Sequence, residues 1–517
     1  MGDLIKKLEM DGAAVKMTAD RQTKLTRQLI FEKSCMEGEG MDNVAMEKGL
    51  EEKLNHLSSV QSFIGKNFQV PRVRFGRTNL EISIVTLGGM RQQETWAPKD
   101  GLTLEEINRE CQANFEMIAD RAIEMGINHF ETARGYGSSE LQFGPVVKKY
   151  KRSSIILQTK VVPKPTNEEF RELLETSFAK LQLEEEDEYV DLLSFHGVNK
   201  PEHIDYILRD GGNMEVLKEY QAKGKVKFIG FSTHGMTGCI VKAIESDAFD
   251  YVNLHHHFIG SYTASGTGSA HEGNMDAIIA AKQRDMGIFI ISPVDKGGAL
   301  YEPPRGLAAL CSKHSVSPMA FANLWLWAQG AHTLTIGAAR PTDLDEHLHA
   351  ASLFERCKEI SDPIYAAWYA KVEATFGADF LGKWWKGLIS AYENDEGVPV
   401  AHIYWLWWMC KAWGAYHYAL KRYSSLEGNE AAWEKEGAAS FSWVPGVPFT
   451  GAREAKVREA LQGHPDPDHV IQALREAHQW LSDGGCLKRG EAPIGHVDAA
   501  EWEVAYNMQP DVPFPER

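Results

Sequence analysis

A phenol, an ammonium, a carboxylate and an imidazole stand at the ends of three successive strand-like runs. Glu131 and Tyr136 lie in Asn128-His-Phe-Glu-Thr-Ala-Arg-Gly-Tyr-Gly137, Lys160 in Ile155-Ile-Leu-Gln-Thr-Lys160, and His196 in Asp191-Leu-Leu-Ser-Phe-His196. A phenol, with a free pKa of about 10, needs help to give up its proton near neutral pH. A neighbouring ammonium favours the phenolate, a carboxylate can hold the ammonium, and an imidazole can orient or polarise a carbonyl oxygen. Those parts suit carbonyl reduction. Singly, each has a plainer reading: Tyr136 as a loop aromatic between two glycines, Lys160 as a snorkelling strand end, His196 as a satisfied core residue. The functional reading rests on their meeting at the C-terminal ends of consecutive strands, where barrel enzymes keep their catalytic groups.

Short β-branched or aromatic runs alternate with helical patterns from Ile84 onward. Strands are expected at Ile84 to Leu87, His129 to Thr132, Ser154 to Lys160, Val190 to Phe195, Val226 to Phe231, Tyr251 to Leu254, Gly287 to Ile291 and Leu334 to Ile336. The helices between and after them run near Asn114 to Met125, Glu140 to Lys149, Asn167 to Leu181, Asn213 to Ala222, Met236 to Ile244, Asn274 to Arg284, Pro318 to Gln329 and Thr342 to Ala350. Eight such units over about 280 residues predict an α/β fold, a parallel (β/α)8 TIM barrel. Ahead of it, Val73 to Ile84 reads as a β-hairpin turning at Gly76-Arg-Thr-Asn79.

From about Val73 to Ala351 the sequence resembles the aldo-keto reductases. The resemblance runs through Leu87-Gly-Gly-Met90, Gly126-Ile-Asn-His-Phe-Glu-Thr-Ala-Arg-Gly-Tyr-Gly-Ser-Ser-Glu140, Thr159-Lys160, Ser194-Phe-His196, Gly224-Lys-Val-Lys-Phe-Ile-Gly-Phe-Ser232, Ile291-Ser-Pro293 and Ile336-Gly-Ala338. It implies reduction of an aldehyde or ketone by direct hydride transfer from NADP(H), with Tyr136 as general acid. Lys160 would lower the Tyr136 pKa, Glu131, which replaces the family's Asp, would hold Lys160, and His196 would orient the substrate oxygen. The resemblance places Gly88, Gly89 and Met90 along the nicotinamide and gives its carboxamide to Ser232 and Asn253, with Thr233 replacing the family's Asn. Ile291 stands where many members stack a Tyr. Ser292, Val294, Lys296 and Gly297 would surround the pyrophosphate, and Ala338, Arg340 and Glu346 the adenosine end. NAD(H) stays open there, because Asp343 would repel a 2′-phosphate and Ala338 offers no hydroxyl. The departures at Glu131, Thr233 and Ile291 also fit a nucleotide-binding regulatory or assembly subunit with little turnover.

The chain is long enough for more than one core. With 517 residues of 43% hydrophobic composition, it reads as a helical arm over 1–70, the barrel over 71–352 and a helical domain over 353–517. A net charge of −17 argues against nucleic acid as a partner. Seven scattered cysteines without a Cys-x-x-Cys spacing suit a reducing cytoplasm. The C-terminal part carries eleven of the fourteen Trp residues, including Tyr404-Trp-Leu-Trp-Trp408. His402, Lys411 and His417 interrupt its apolar run, so a packed helix over Val398 to Leu420 is expected rather than a membrane span. Through Gly397-Val-Pro-Val400, the aromatic helix after it, Ser442-Trp-Val-Pro-Gly446 and His469-Val-Ile-Gln-Ala-Leu-Arg-Glu-Ala-His478, this part resembles the helical ferredoxin-like domain of one aldo-keto reductase subgroup, but Cys410 and Cys486 stand alone and no iron–sulfur cluster is expected. The terminal helices could join copies of the chain into a homo-oligomer. No metal is expected at His255-His-His257, since only His255 and His257 share a strand face and no third ligand is visibly placed. Ser261 to Gly273 reads as a loop over the barrel mouth.

Overall fold

The computed structural model describes residues 68–99, 101–183, 188–260, 274–294, 300, 303–437 and 444–488. Residues 1–67 of the arm expected over 1–70, the loop Ser261 to Gly273, Lys296 and Gly297 lie outside the described residues.

A hairpin opens the fold. Strands β1 (Arg72–Arg74) and β2 (Glu81–Ser83) pair antiparallel, and Asn79 makes the turn at a left-handed φ of 54°. Eight parallel strands follow and close on themselves: β3 (Val85–Gly88), β4 (His129–Glu131), β5 (Ile156–Val161), β6 (Val190–Phe195), β7 (Val226–Ser232), β8 (Tyr251–His255), β9 (Gly287–Ile291) and β10 (Thr333–Gly337), with β10 pairing β3. Phe75 of the hairpin plugs the lower end, clustering with Ile82, Ile156, Leu192, Tyr251 and Phe289. Gly287 allows that plug, since a Cβ there would lie 2.6 Å from the Phe75 ring.

The barrel helices are α1 (Arg109–Glu124), α2 (Ser139–Lys148), α3 (Asn167–Lys180), α4 (Pro201–Leu208), α5 (Asn213–Ala222), α6 (Thr237–Glu245), α7 (Met275–Gln283), α8 (Arg305–Lys313), α9 (Pro318–Ala328) and α10 (Asp345–Ser352). Their starts follow side-chain chemistry: Asn108 caps α1, Thr166 caps α3, and Ser317 caps α9 ahead of Pro318. Two of these helices, α4 and α8, were not expected, because a one-helix-per-strand pattern leaves no place for short extra turns.

Beyond the barrel all described elements are helical: α11 (Cys357–Phe376), α12 (Val400–Trp413), α13 (Tyr416–Gly428), α14 (Glu430–Glu436), α15 (Glu454–Ala460), α16 (Pro467–Leu481) and α17 (Gly485–Lys488), with short 3-10 turns between. The single helix expected over Val398 to Leu420 is in fact two, broken where Gly414 turns left-handed at φ 62°. No described helix is long and apolar enough to cross a membrane. Barrel and helical region share one continuous apolar core. At their junction Trp325 of α9 stacks on Tyr365 of α11 at 5.5 Å, and the Tyr369 hydroxyl donates to the Phe258 carbonyl at 2.8 Å.

Candidate active site

Beyond β4 the backbone stays bound to β5, and this brings the candidate residues together. Thr132 N–H donates to the Gln158 carbonyl and Arg134 N–H to the Lys160 carbonyl, both at 2.9 Å. The turn then closes with Tyr136 N–H on Ala133 at 3.0 Å, so Tyr136 is delivered over Lys160. Gly137 adopts φ 55°, and a Cβ there would stand 2.0 Å from the Thr95 carbonyl, so only glycine fits. Ser138 Oγ accepts the N–H groups of Glu94 and Thr95 at 3.0 and 3.2 Å, tying the β3–α1 loop to the Tyr136 turn. His196 follows β6, its N–H held by the Val161 carbonyl at 2.8 Å.

Lys160 Nζ contacts the Glu131 carboxylate and donates to the Thr132 carbonyl at 2.9 Å; both charged side chains are 1% exposed. The extra methylene of Glu131 therefore does not stop it reaching Lys160. Nζ also lies 4.6 Å from the centre of the Tyr136 ring, a cation–π distance, and the Tyr136 and His196 rings meet edge to face at 5.6 Å. Burial pulls the Lys160 ammonium well below its ordinary pKa, and contact with Glu131 opposes that pull. Tyr136 keeps some accessible surface, yet the protein packed around it pushes its phenol above the ordinary value. Lys160 was expected to lower the Tyr136 pKa. Here burial sets the direction, while the ammonium addresses the ring face.

The positions expected to line the nicotinamide sit on neighbouring strand ends. Gly88 closes β3, and at Gly89 a Cβ would come 2.6 Å from Phe143 and 2.8 Å from the Glu131 carbonyl. Met90 is 36% exposed beside them. Ser232 and Asn253 are in register on β7 and β8, 4% and 0% exposed. Ser232 Oγ accepts the Gly197 N–H at 3.1 Å, and Asn253 Nδ2 has no hydrogen-bond partner. An orphaned amide donor beside a buried hydroxyl can be satisfied by an amide ligand, and the carboxamide of a nicotinamide fits it. Thr233 is engaged elsewhere, its hydroxyl donating to the Val198 carbonyl at 2.8 Å.

Ile291 ends β9, and Ser292 turns left-handed at φ 56°, with Val294 partly buried after it. Where the adenosine end was expected, Ala338 is buried and its carbonyl accepts from Gln92 at 2.7 Å. Asp343 accepts the N–H groups of Ala339 and Arg340 at 2.9 and 3.1 Å, and its other oxygen lies 3.4 Å from the Arg340 guanidinium. Glu346 sits partly exposed on α10.

His255 and His257 stack with parallel rings 6.1 Å apart, while His256 lies 4.9 Å from Trp325 with both ring nitrogens unpartnered. Among the described residues no three His, Cys, Asp or Glu side chains gather as a metal site. Cys410 and Cys486 are both buried, and Cys486 Sγ donates to the Tyr416 hydroxyl at 3.4 Å. The sequence reading passed over Thr132, Ser138, His129 and Gln158. The period of two along a strand was the signal for the last two, since His129 shares a face with Glu131 and Gln158 with Lys160.

The sequence pattern of the Aldo/keto reductase family matches residues 85–361. Among solved structures, a thermostable aldo-keto reductase in complex with the inhibitor epalrestat is 20% identical, with TM-score 0.44, covering 57% of this chain and 99% of that one. An aldo/keto reductase from Brucella melitensis is 18% identical, with TM-score 0.40, covering 56% and 100%. The aldose reductase from Schistosoma japonicum is 15% identical, with TM-score 0.39, covering 57% and 92%.

Proposed function

The chain belongs to the Aldo/keto reductase family, and from that premise we propose that it reduces an aldehyde or ketone to an alcohol with a nicotinamide dinucleotide as hydride donor. The observation carrying this reading is the Lys160 ammonium set between the Glu131 carboxylate and the Tyr136 ring, with His196 edge-on to the same ring. The dinucleotide would be held by Asn253 Nδ2 and Ser232 at its carboxamide and supplies a hydride when bound. Tyr136 then delivers its hydroxyl proton to the carbonyl oxygen as that oxygen gains charge. A phenol kept protonated by burial is in the form a proton donor needs. Lys160 places positive charge beside the phenolate that remains, Glu131 holds Lys160, and His196 orients the substrate oxygen.

The phosphorylated cofactor, NADP(H), is supported by Arg340. NAD(H) is supported by the pairing of Arg340 with Asp343, whose carboxylate also accepts the N–H groups of Ala339 and Arg340 and places a negative charge beside the guanidinium. The test is consumption of NADPH and NADH with a panel of aldehydes and ketones, beside dinucleotide binding followed by fluorescence. Turnover with at least one carbonyl is expected. Tight binding without turnover across the panel would replace this reading with that of a nucleotide-binding subunit.

A further inference from the structure

Barrel interiors are usually filled with branched aliphatic side chains. Between the apolar floor at Phe75 and the charged mouth, this one carries a belt of polar groups. The Thr333 and Thr86 hydroxyls lie 2.6 Å apart, Thr86 Oγ1 lies 2.7 Å from His129 Nδ1, and His129 Nε2 lies 2.9 Å from Gln158 Oε1. Gln158 Nε2 donates to Ser194 Oγ at 3.0 Å and to Asn253 Oδ1 at 3.4 Å, and Ser194 Oγ meets the Tyr251 hydroxyl at 2.9 Å. Thr86, His129, Gln158, Ser194, Tyr251, Asn253 and Thr333 are all 0% exposed. The chain of bonds thus joins β10, β3, β4, β5, β6 and β8, and it ends on the residue whose Nδ2 is orphaned.

Donor counting gives the belt a polarity. Neutral imidazole offers one donor and one acceptor, and a side-chain amide offers donors at one end and an acceptor at the other. Burial, with the Lys160 charge adding to it, keeps His129 neutral, its pKa lowered to about 3. With hydrogen on Nε2, His129 donates to Gln158 Oε1, Gln158 turns its NH2 toward Ser194 and Asn253, and Asn253 meets it with Oδ1. Nδ2 of Asn253 is then left without a protein partner. Thr86 completes the other end by donating to Nδ1 and accepting from Thr333. With hydrogen on Nδ1 the belt inverts: Gln158 presents its oxygen to Asn253, which must answer with NH2 and offer its own oxygen to the ligand.

We infer that His129 and Gln158 are positioning residues that hold Asn253 with its NH2 toward the cofactor site, so that the protein offers a donor to the carboxamide oxygen. The inference rests on the proposed function, because it names the partner of a nicotinamide. Both residues are 0% exposed and engaged within the belt. They act by leaving Asn253 only one way round.

Histidine tautomers are read directly by long-range proton–nitrogen correlation in protein labelled with 15N-histidine, without cofactor. His129 is expected to carry its hydrogen on Nε2 and to stay neutral from pH 8 to pH 5. Hydrogen on Nδ1 would overturn the inference whether or not any dinucleotide binds. The second measurement compares two dinucleotide analogues, one with a 3-acetyl group, which keeps the acceptor, and one with a 3-amino group, which keeps only a donor. Wild-type protein should bind the acetyl form at least about tenfold more tightly, the worth of roughly one hydrogen bond. In Gln158→Met, which keeps volume but frees the Asn253 amide, that ratio should fall toward one. A purely structural defect weakens both analogues alike, so an unchanged ratio in the variant also overturns the inference. Wild-type protein that binds no dinucleotide at all counts against the proposed function, and the tautomer remains measurable.

Discussion

Glu131 and Lys160 are each 1% exposed, and a buried pair of this kind is held more by the penalty of separating it than by any net gain from forming it. Glu131→Gln leaves an ammonium buried without its counter-charge and should cost about 3 kcal/mol. Adding Lys160→Met should restore most of that stability while abolishing turnover, which denaturant unfolding of both singles and the double would measure. Additive losses in the double variant would mean that the contact is not the stabilising feature. Tyr136→Phe should keep dinucleotide affinity and lower turnover by at least ~10²-fold, the usual scale for a lost general acid. At the proposed adenosine end, Asp343→Asn removes the carboxylate that now holds Arg340, and should raise affinity for NADPH relative to NADH by about tenfold. An unchanged affinity ratio would place Arg340 outside the binding site. The meeting of Tyr136, Lys160 and His196 was legible in the sequence because strand ends in a barrel share one rim. The engagement of Arg340 by Asp343 was not, because a three-residue spacing gives proximity without saying whether a side chain turns inward or toward a ligand.

The end of β8 and the helix α9 meet through His256 and Trp325, and the contact has an unusual cost. Both His256 ring nitrogens are buried without partners, and burial, with His255, His257 and Lys282 adding smaller repulsions, lowers its pKa to about 3. A histidine of folded pKa about 3 and ordinary value 6.5 contributes stability that is fully present above 6.5. It is lost as pH falls from 6.5 toward 3, because the unfolded chain takes up the proton first. His256→Phe keeps the ring against Trp325 and removes two orphaned polar atoms, so it should be neutral or stabilising by up to about 2 kcal/mol at pH 7. It should also flatten the fall in melting temperature between pH 7 and pH 5; an equally steep fall would assign the acid sensitivity to other groups. The alternating pattern predicted the strands at this scale, but His-His-His at a strand end read as a metal question, not a packing one. Stacking of His256 on an aromatic ring from α9, nearly seventy residues away in the sequence, is a tertiary contact that no local period encodes.

Across the whole molecule the tryptophans resolve into packing. Trp368 and Trp413 stack at 4.9 Å, the Trp413 N–H donates to the Trp368 carbonyl at 3.0 Å, and Trp405, Trp408 and Trp480 are fully buried. Composition marked this region as different and aromatic, but composition carries no direction, so it left open whether the rings fill an independent core or dock on the barrel. The observed core runs through both parts without a break, from Phe258, Phe321 and Trp325 on the barrel side to Tyr365 and Trp368 on α11. Cutting the chain before Phe354 would uncover α9, nearly every residue of which is buried, and a contiguous apolar face of that size drives association. The shortened chain is expected to be insoluble or aggregated, and to regain solubility when residues from 354 onward are supplied as a separate chain. Size-exclusion chromatography and dinucleotide binding check this. A monomeric, soluble barrel with undiminished affinity would show that α9 can close over without α11, and would leave the helical region a module added to a barrel that does not depend on it.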